Sequence, residues 1–168
     1  MEDFAASSPA GWLRIAEPDR LFRAAYALCG SREGAEELVL ETFARARGRR
    51  RFVRRGGDAV HLMRELHRSW TGRERGRSIR PATAGPGEPI GWVVDRSGDP
   101  HVLALDVQRA YQAIAELPRQ QREAIAAVDV FGLAHRDAAR ALRIRRRTLT
   151  TRLYGARERV AAALQETP

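Results

Sequence analysis

Between Ser78 and roughly Ala104, Pro81, Pro86, Pro89 and Pro100 interleave with Gly85, Gly87, Gly91 and Gly98. Proline removes a backbone donor and glycine adds backbone entropy, so neither a long helix nor a central strand is expected to cross this stretch. It reads as a linker over residues 78–104, dividing the chain into residues 1–77 and 105–168. Each part is small, so each core must be modest. The linker carries one apolar island, "IGWVV" from Ile90 to Val94. Packing on a neighbouring domain suits that island better than reservation for a partner.

Both parts show helical periodicity and no strand-like alternation, and no internal repeat is visible. The first helix is expected near Asp19–Cys29, with Leu21, Phe22, Ala25, Tyr26 and Leu28 as its apolar face. "CGS" closes it, and Ser31 can cap a second helix in which Ala35, Leu38, Val39, Thr42, Phe43 and Ala46 share a face. "RGRRRFVRRGG" then interrupts the pattern. Asp58 can cap a third, with Ala59, Leu62, Met63, Leu66 and Trp70 on one stripe, and Gly72 and Gly76 weakening any continuation of the helix. In the second part, Val107, Tyr111, Ile114 and Leu117 form one stripe and Arg122, Ile125, Val128 and Phe131 another, with Pro118 between them. The fold class is all-α, two small helical domains on a Pro/Gly-rich linker.

The net charge of +9 is unevenly spread. Residues 1–40 hold 4 Arg and 7 acids, residues 41–80 hold 13 Arg and 4 acids, residues 81–130 hold 4 and 7, and residues 131–168 hold 9 and 3. Two separated basic blocks suggest two contact points on one polyanion. All 30 basic residues are Arg, which suggests a G/C-rich genome and leaves some of them without a specific role. Their clustering still needs a cause.

The sharpest cluster opens "IRRRTLTTRLYGARERV", where Leu149, Leu153, Ala156 and Val160 give one helical stripe. Arg145, Arg146 and Arg147 sit at the start of that helix, where the macrodipole penalises each exposed cation by roughly 0.3–1 kcal/mol. An external anion reverses the penalty, and phosphate is a natural ligand of a helix N-terminus. The preceding "AHRDAARAL" makes a short helix, and the break "RIR" completes a helix-turn-helix. Ala138, Ala139 and Leu142 would pack on Leu149 and Leu153, leaving Arg147, Thr150, Thr151, Tyr154 and Gly155 outward.

The stretch from Ala113 to Leu164 resembles the C-terminal promoter-binding domain of the extracytoplasmic-function bacterial sigma factors. The residues that carry the resemblance are Leu117, Pro118, Arg122, Gly132, Ala139, Leu142, Thr148, Leu149, Thr151, Arg152, Leu153, Ala156 and Arg157. It implies a region 4-like domain over residues 105–168 that reads an upstream promoter element. The candidate DNA contacts are Arg145, Arg146, Arg147, Thr148, Thr150, Thr151, Arg152, Tyr154 and Arg157. The sequence departs from the family pattern at its turn glycine, here Arg143, at a second glycine, here Arg147, at a base-reading basic position, here Thr150, and at a later Arg position, here Gly155. Arginines then position the helix on phosphates, and threonine hydroxyls and methyls do what reading is done.

"LFRAAYALCGSREGAEELVLETFARA" resembles the N-terminal domain of the same family, carried by the run from Gly34 to Phe43. Glu33, Glu37 and Glu41 stack at i, i+4 and i+8, a like-charge column costing a few tenths of a kcal/mol per pair. The resemblance implies a region 2-like domain over residues 1–77 that docks core RNA polymerase through Glu33, Glu36, Glu37, Leu40 and Glu41, with Leu40 in place of the family's Gln. The third helix occupies the family's promoter-opening segment, but the match is poor: the Trp-Leu pair is Leu62-Met63, and the Asn is Ser69. Arg64, Arg68, Ser69, Trp70 and Arg73 are the candidate DNA contacts there, with Arg75 and Arg77 as further phosphate-facing residues. Trp70 either stacks on an unpaired base or continues the apolar stripe into the core.

No Walker loop, zinc-spaced Cys/His cluster, Gly-x-Ser-x-Gly elbow or His-Glu-x-x-His occurs, and His61 and His67 lie six residues apart. The expectation is a non-enzyme without metal or cofactor. The single cysteine, Cys29, and the acidic start without an apolar signal core point to a soluble cytoplasmic protein with no membrane association. The resemblance implies core RNA polymerase, promoter DNA and an anti-sigma factor as partners. Two rival readings stay open, a degenerate regulator that binds polymerase or DNA without opening promoters, and a protein-interaction adaptor.

Overall fold

Amphipathic periodicity is realised as seven helices among the described residues, which in this computed structural model are 17–47, 58–76 and 100–165. The "IGWVV" island, the basic run at 48–57, Arg77 and most of the expected linker lie outside them. The first three helices are α1 (Glu17–Cys29), α2 (Arg32–Arg47) and α3 (Asp58–Gly76). The last four are α4 (Pro100–Glu116), α5 (Arg119–Ile125), α6 (His135–Leu142) and α7 (Arg146–Gln165). A π-helical turn at Ala126–Val130 continues α5.

Local chemistry explains several boundaries. Gly30 ends α1 with φ +71, and the Ser31 hydroxyl accepts the Gly34 N–H at 3.2 Å, the expected cap of α2. Pro118 lies just before α5, at its N-cap. Two expectations are corrected. Pro100 starts α4, inside the stretch expected as linker to Ala104, because proline is tolerated at a first helical position. Gly72 does not stop α3, which runs to Gly76.

Leu21, Leu28, Leu38, Met63 and Leu66 form the core of the first three helices, and Ile125, Phe131, Leu142, Leu149 and Leu153 that of the last four. Within the units, α2 packs on both α1 and α3, while α7 packs on α4, α5 and α6. The units also pack against each other: α3 lies on α6, and α1 on the π-helical turn and on α4. Tyr26 meets Tyr111 edge to face, with ring centroids 5.3 Å apart.

Polar ties reinforce this interface. Arg20 Nε donates to the Phe131 carbonyl at 2.8 Å, and its guanidinium lies 5.2 Å from the Phe131 ring centroid. Arg122 donates from Nη1 to the Leu28 carbonyl at 3.2 Å, and from Nη2 to the Ala115 and Leu117 carbonyls. It thereby satisfies the free carbonyl ends of α1 and α4 at once, where a cation is also favoured by both helix dipoles.

Gly132 has φ +82, and a Cβ built on it would sit 2.9 Å from Arg20 Nη2. Gly132→Ala therefore meets both an unfavourable backbone conformation and the Arg20 tie. The expected result is a loss of about 2 kcal/mol in unfolding free energy, measured by urea denaturation.

Candidate nucleic-acid interface

The helix-turn-helix is built as the sequence implies. Ala138, Ala139, Ala141 and Leu142 are buried on α6, and Leu149, Leu153 and Ala156 on α7. The turn between them passes through Arg143, whose φ of 56 and ψ of 41 are left-handed. The Ile144 N–H donates back to the Ala139 carbonyl at 3.0 Å and completes the helix stop. A side chain in this conformation costs roughly 1–2 kcal/mol relative to glycine.

Arg145, Arg146 and Arg147 are exposed around the start of α7 and form no ion pair among the described residues. Their charge at the positive end of a 20-residue helix is thus uncompensated within the described chain. Thr150 and Thr151 are exposed one turn later, and Tyr154 is 66% exposed. The Thr150 hydroxyl donates to the Arg146 carbonyl at 3.0 Å and that of Thr151 to the Arg147 carbonyl at 3.1 Å. This changes the expected reading chemistry: the hydroxyl protons turn back into the helix, leaving methyl groups and oxygen lone pairs outward. Thr148 and Arg152 are half-buried. Arg157 is corrected more strongly, since it makes a two-pronged pair with Asp129, Nε to Oδ2 at 3.0 Å and Nη2 to Oδ1 at 2.6 Å. That pair fastens α7 to the π-helical turn.

The third helix presents less of itself than expected. Ser69 is fully buried and Trp70 is 4% exposed, so in this arrangement neither faces a nucleic acid. Of its two expected roles Trp70 takes the core one, with the Arg119 guanidinium 5.2 Å from its ring centroid. Arg119 also pairs with Glu74 at 3.2 Å and Glu123 at 3.1 Å, and His67 Nε2 lies 3.2 Å from Glu123 Oε1. Burial works against the Glu123 charge, but His67 and then Arg119 outweigh it and hold the carboxyl below its usual range. Arg68 pairs with Glu65 at 3.1 Å, and Arg64 reaches the Arg140 carbonyl at 3.4 Å.

Arg73 turns toward the acidic face of α2, bonding Glu41 at 2.8 Å and Glu37 at 3.2 Å. Arg45 adds a 3.0 Å pair to Glu41, and Arg32 a 2.9 Å pair to Glu36. The expected cost of the glutamate column is thus offset within the chain, by a partner on another helix. Desolvation opposes the Glu41 charge, but Arg73 and Arg45 prevail and keep its carboxyl below the usual range. Glu33, Glu36 and Glu37 remain exposed, and Leu40 is 71% exposed among them. An apolar side chain ringed by acids suits a protein partner with a basic rim.

Cys29 is the only cysteine, and desolvation pushes its thiol up to about 11, against the lowering effect of Arg73 and Arg122. It is a poor nucleophile in this setting. Among the described residues, no group of three His, Cys, Asp or Glu side chains could hold a metal ion, and no helix is long and apolar enough to cross a membrane.

Residues 108–160 match the family described as sigma-70, region 4. The all-helical fold is similar to that of the sigma factor RpoE from Bartonella quintana, solved in complex with the anti-sigma factor NepR. That likeness has a TM-score of 0.65 and 24% identity, and it covers 90% of this chain and 92% of that one. No curated protein matches the chain.

Proposed function

We propose that this chain, which carries a sigma-70 region 4 domain at residues 108–160, is an extracytoplasmic-function sigma factor that directs core RNA polymerase to specific promoters. The observation that carries the reading is the start of α7, where three uncompensated arginines adjoin the outward Thr150, Thr151 and Tyr154 in the matched domain. Arginines on phosphates set the register of α7 in the major groove, and the threonine and tyrosine side chains meet base edges. The acidic face of α2, with Leu40 at its centre, docks the polymerase. The protein acts in the cytoplasm, and the bond-forming chemistry of transcription belongs to its partner.

The packed interface adds a condition. Trp70 is buried with Arg119 of the second unit over its ring, so it reaches opened DNA only after the units separate. Docking on polymerase supplies that separation, and an anti-sigma partner of the kind bound to the Bartonella protein opposes it. The same burial favours a second reading, a sigma-like regulator that binds polymerase or DNA and never exposes α3.

Transcription in vitro from fragmented genomic DNA of the source organism, with its core polymerase and with or without this protein, tests the choice. Sequencing RNA 5′ ends is expected to reveal new start sites that share an upstream motif. No new starts, with folding, polymerase binding and DNA binding retained, would replace the sigma factor by the regulator.

A further inference from the structure

Where α2 and α3 face the end of α6, a cleft of about 380 Å³ is lined by Arg45, Arg64, His67, Arg68, Arg75 and Arg143. No carboxylate among the described residues lines it. Arg45, Arg68 and His67 have acidic partners outside the lining, in Glu41, Glu65 and Glu123. Arg64, Arg75 and Arg143 form no ion pair among the described residues, and Arg64 Nε is buried without a hydrogen-bond partner. The three unpaired guanidinium groups around one small cavity repel one another, a cost that a dense anion removes.

Arg143 supplies an independent observation. It is the one non-glycine residue at positive φ among the described residues, at a turn where glycine would relieve the strain, and its side chain faces this cleft. Strained backbone concentrates where a side chain has a task. Thr150, Thr151 and Tyr154 line no part of the cleft, so the upstream-reading face of α7 is separate from it, while Arg64 and Arg68 are shared with the α3 face expected to meet opened DNA.

We propose that this cleft binds a small anion carrying two or more linked phosphates, held by Arg64, Arg75 and Arg143 and bridging the two helical units. A cavity of about 380 Å³ holds such a molecule. It has no room for a duplex, and its three unpaired arginines together offer more forked N–H donors than a single phosphate engages. The inference rests on the packing of the units and is independent of the transcription reading.

Calorimetric titration of the full chain with sodium tripolyphosphate tests it, beside orthophosphate and a short DNA duplex as separate arms. Tripolyphosphate is expected to bind at least tenfold more tightly than orthophosphate, and Arg143→Gly and Arg75→Gln are each expected to weaken it by about tenfold. Arg143→Gly relieves the turn, so loss of binding without loss of folding, monitored by circular dichroism, separates the site from the scaffold. Arg146→Gln is expected to weaken the duplex and leave tripolyphosphate within about twofold. The proposal is overturned by absent binding at millimolar tripolyphosphate, by orthophosphate binding equally well, or by Arg146→Gln costing as much as Arg143→Gly.

Discussion

Replacing Arg122 with methionine is expected to lower the unfolding free energy by about 3–5 kcal/mol, measured by urea denaturation. Methionine keeps most of the aliphatic stem and so isolates the role of the guanidinium. That group donates to the carbonyls of Leu28, Ala115 and Leu117, and each buried carbonyl left without a donor costs about 1–3 kcal/mol before water or local rearrangement recovers part of it. Burial lowers the Arg122 pKa, against the influence of Glu74 and Cys29, yet an arginine stays charged, so the bonds remain charge-assisted. Arg32→Met is the matched comparison. Its 2.9 Å pair with Glu36 is exposed and local, so its loss should cost about 0.3–0.5 kcal/mol. Hydrogen exchange adds a spatial check: the Arg122 variant should lose protection at the end of α1 and the end of α4 together, since one side chain closes both. A cost no larger than that of Arg32→Met would show that the guanidinium does not couple the units.

Arg122 also marks how far the sequence reaches. Its place after Leu117 and Pro118 is visible in the primary structure as a pattern, but its bond to the Leu28 carbonyl spans 94 residues and leaves no local trace. Periodicity reports which face of a helix is apolar. It places Leu38, Leu66, Leu142 and Leu149 in the core correctly, and capping and turn chemistry do the same for the Ser31 cap and the helix-turn-helix. It does not report what lies opposite a charged face. Glu37 and Glu41 therefore read as an unrelieved column until Arg73 is seen beside them, and Arg157 as a free cation until Asp129 is. Trp70 is ambiguous for the same reason, because an aromatic at the end of an apolar stripe satisfies a core and a stacking site equally. Arg143 is legible as a departure from glycine, but the use of its side chain requires the geometry of α2 and α3. The π-helical turn at Ala126–Val130 has no signal, since a run rich in alanine and valine suits an α-helix equally well.

Removing all three of Arg145, Arg146 and Arg147 as alanines is expected to weaken DNA binding about 100-fold at physiological salt, on any sequence. The slope of log affinity against log salt should fall by about 2–3, as each lost phosphate contact no longer releases its counterion. Thr151→Ala should act differently, with a small loss overall and a changed preference worth about 1 kcal/mol at one base pair. The bond from the Thr151 hydroxyl to the Arg147 carbonyl sharpens the expectation. Thr151→Ser preserves that bond and deletes only the methyl, so if the methyl meets a thymine, serine and alanine should shift the preference alike. If serine retains the original preference, the outward lone pair of the hydroxyl does the reading and the methyl is idle. A sequence-blind loss from both substitutions would assign Thr151 to positioning with the arginines and leave Tyr154, a large side chain exposed on that face, as the remaining reader beside Thr150.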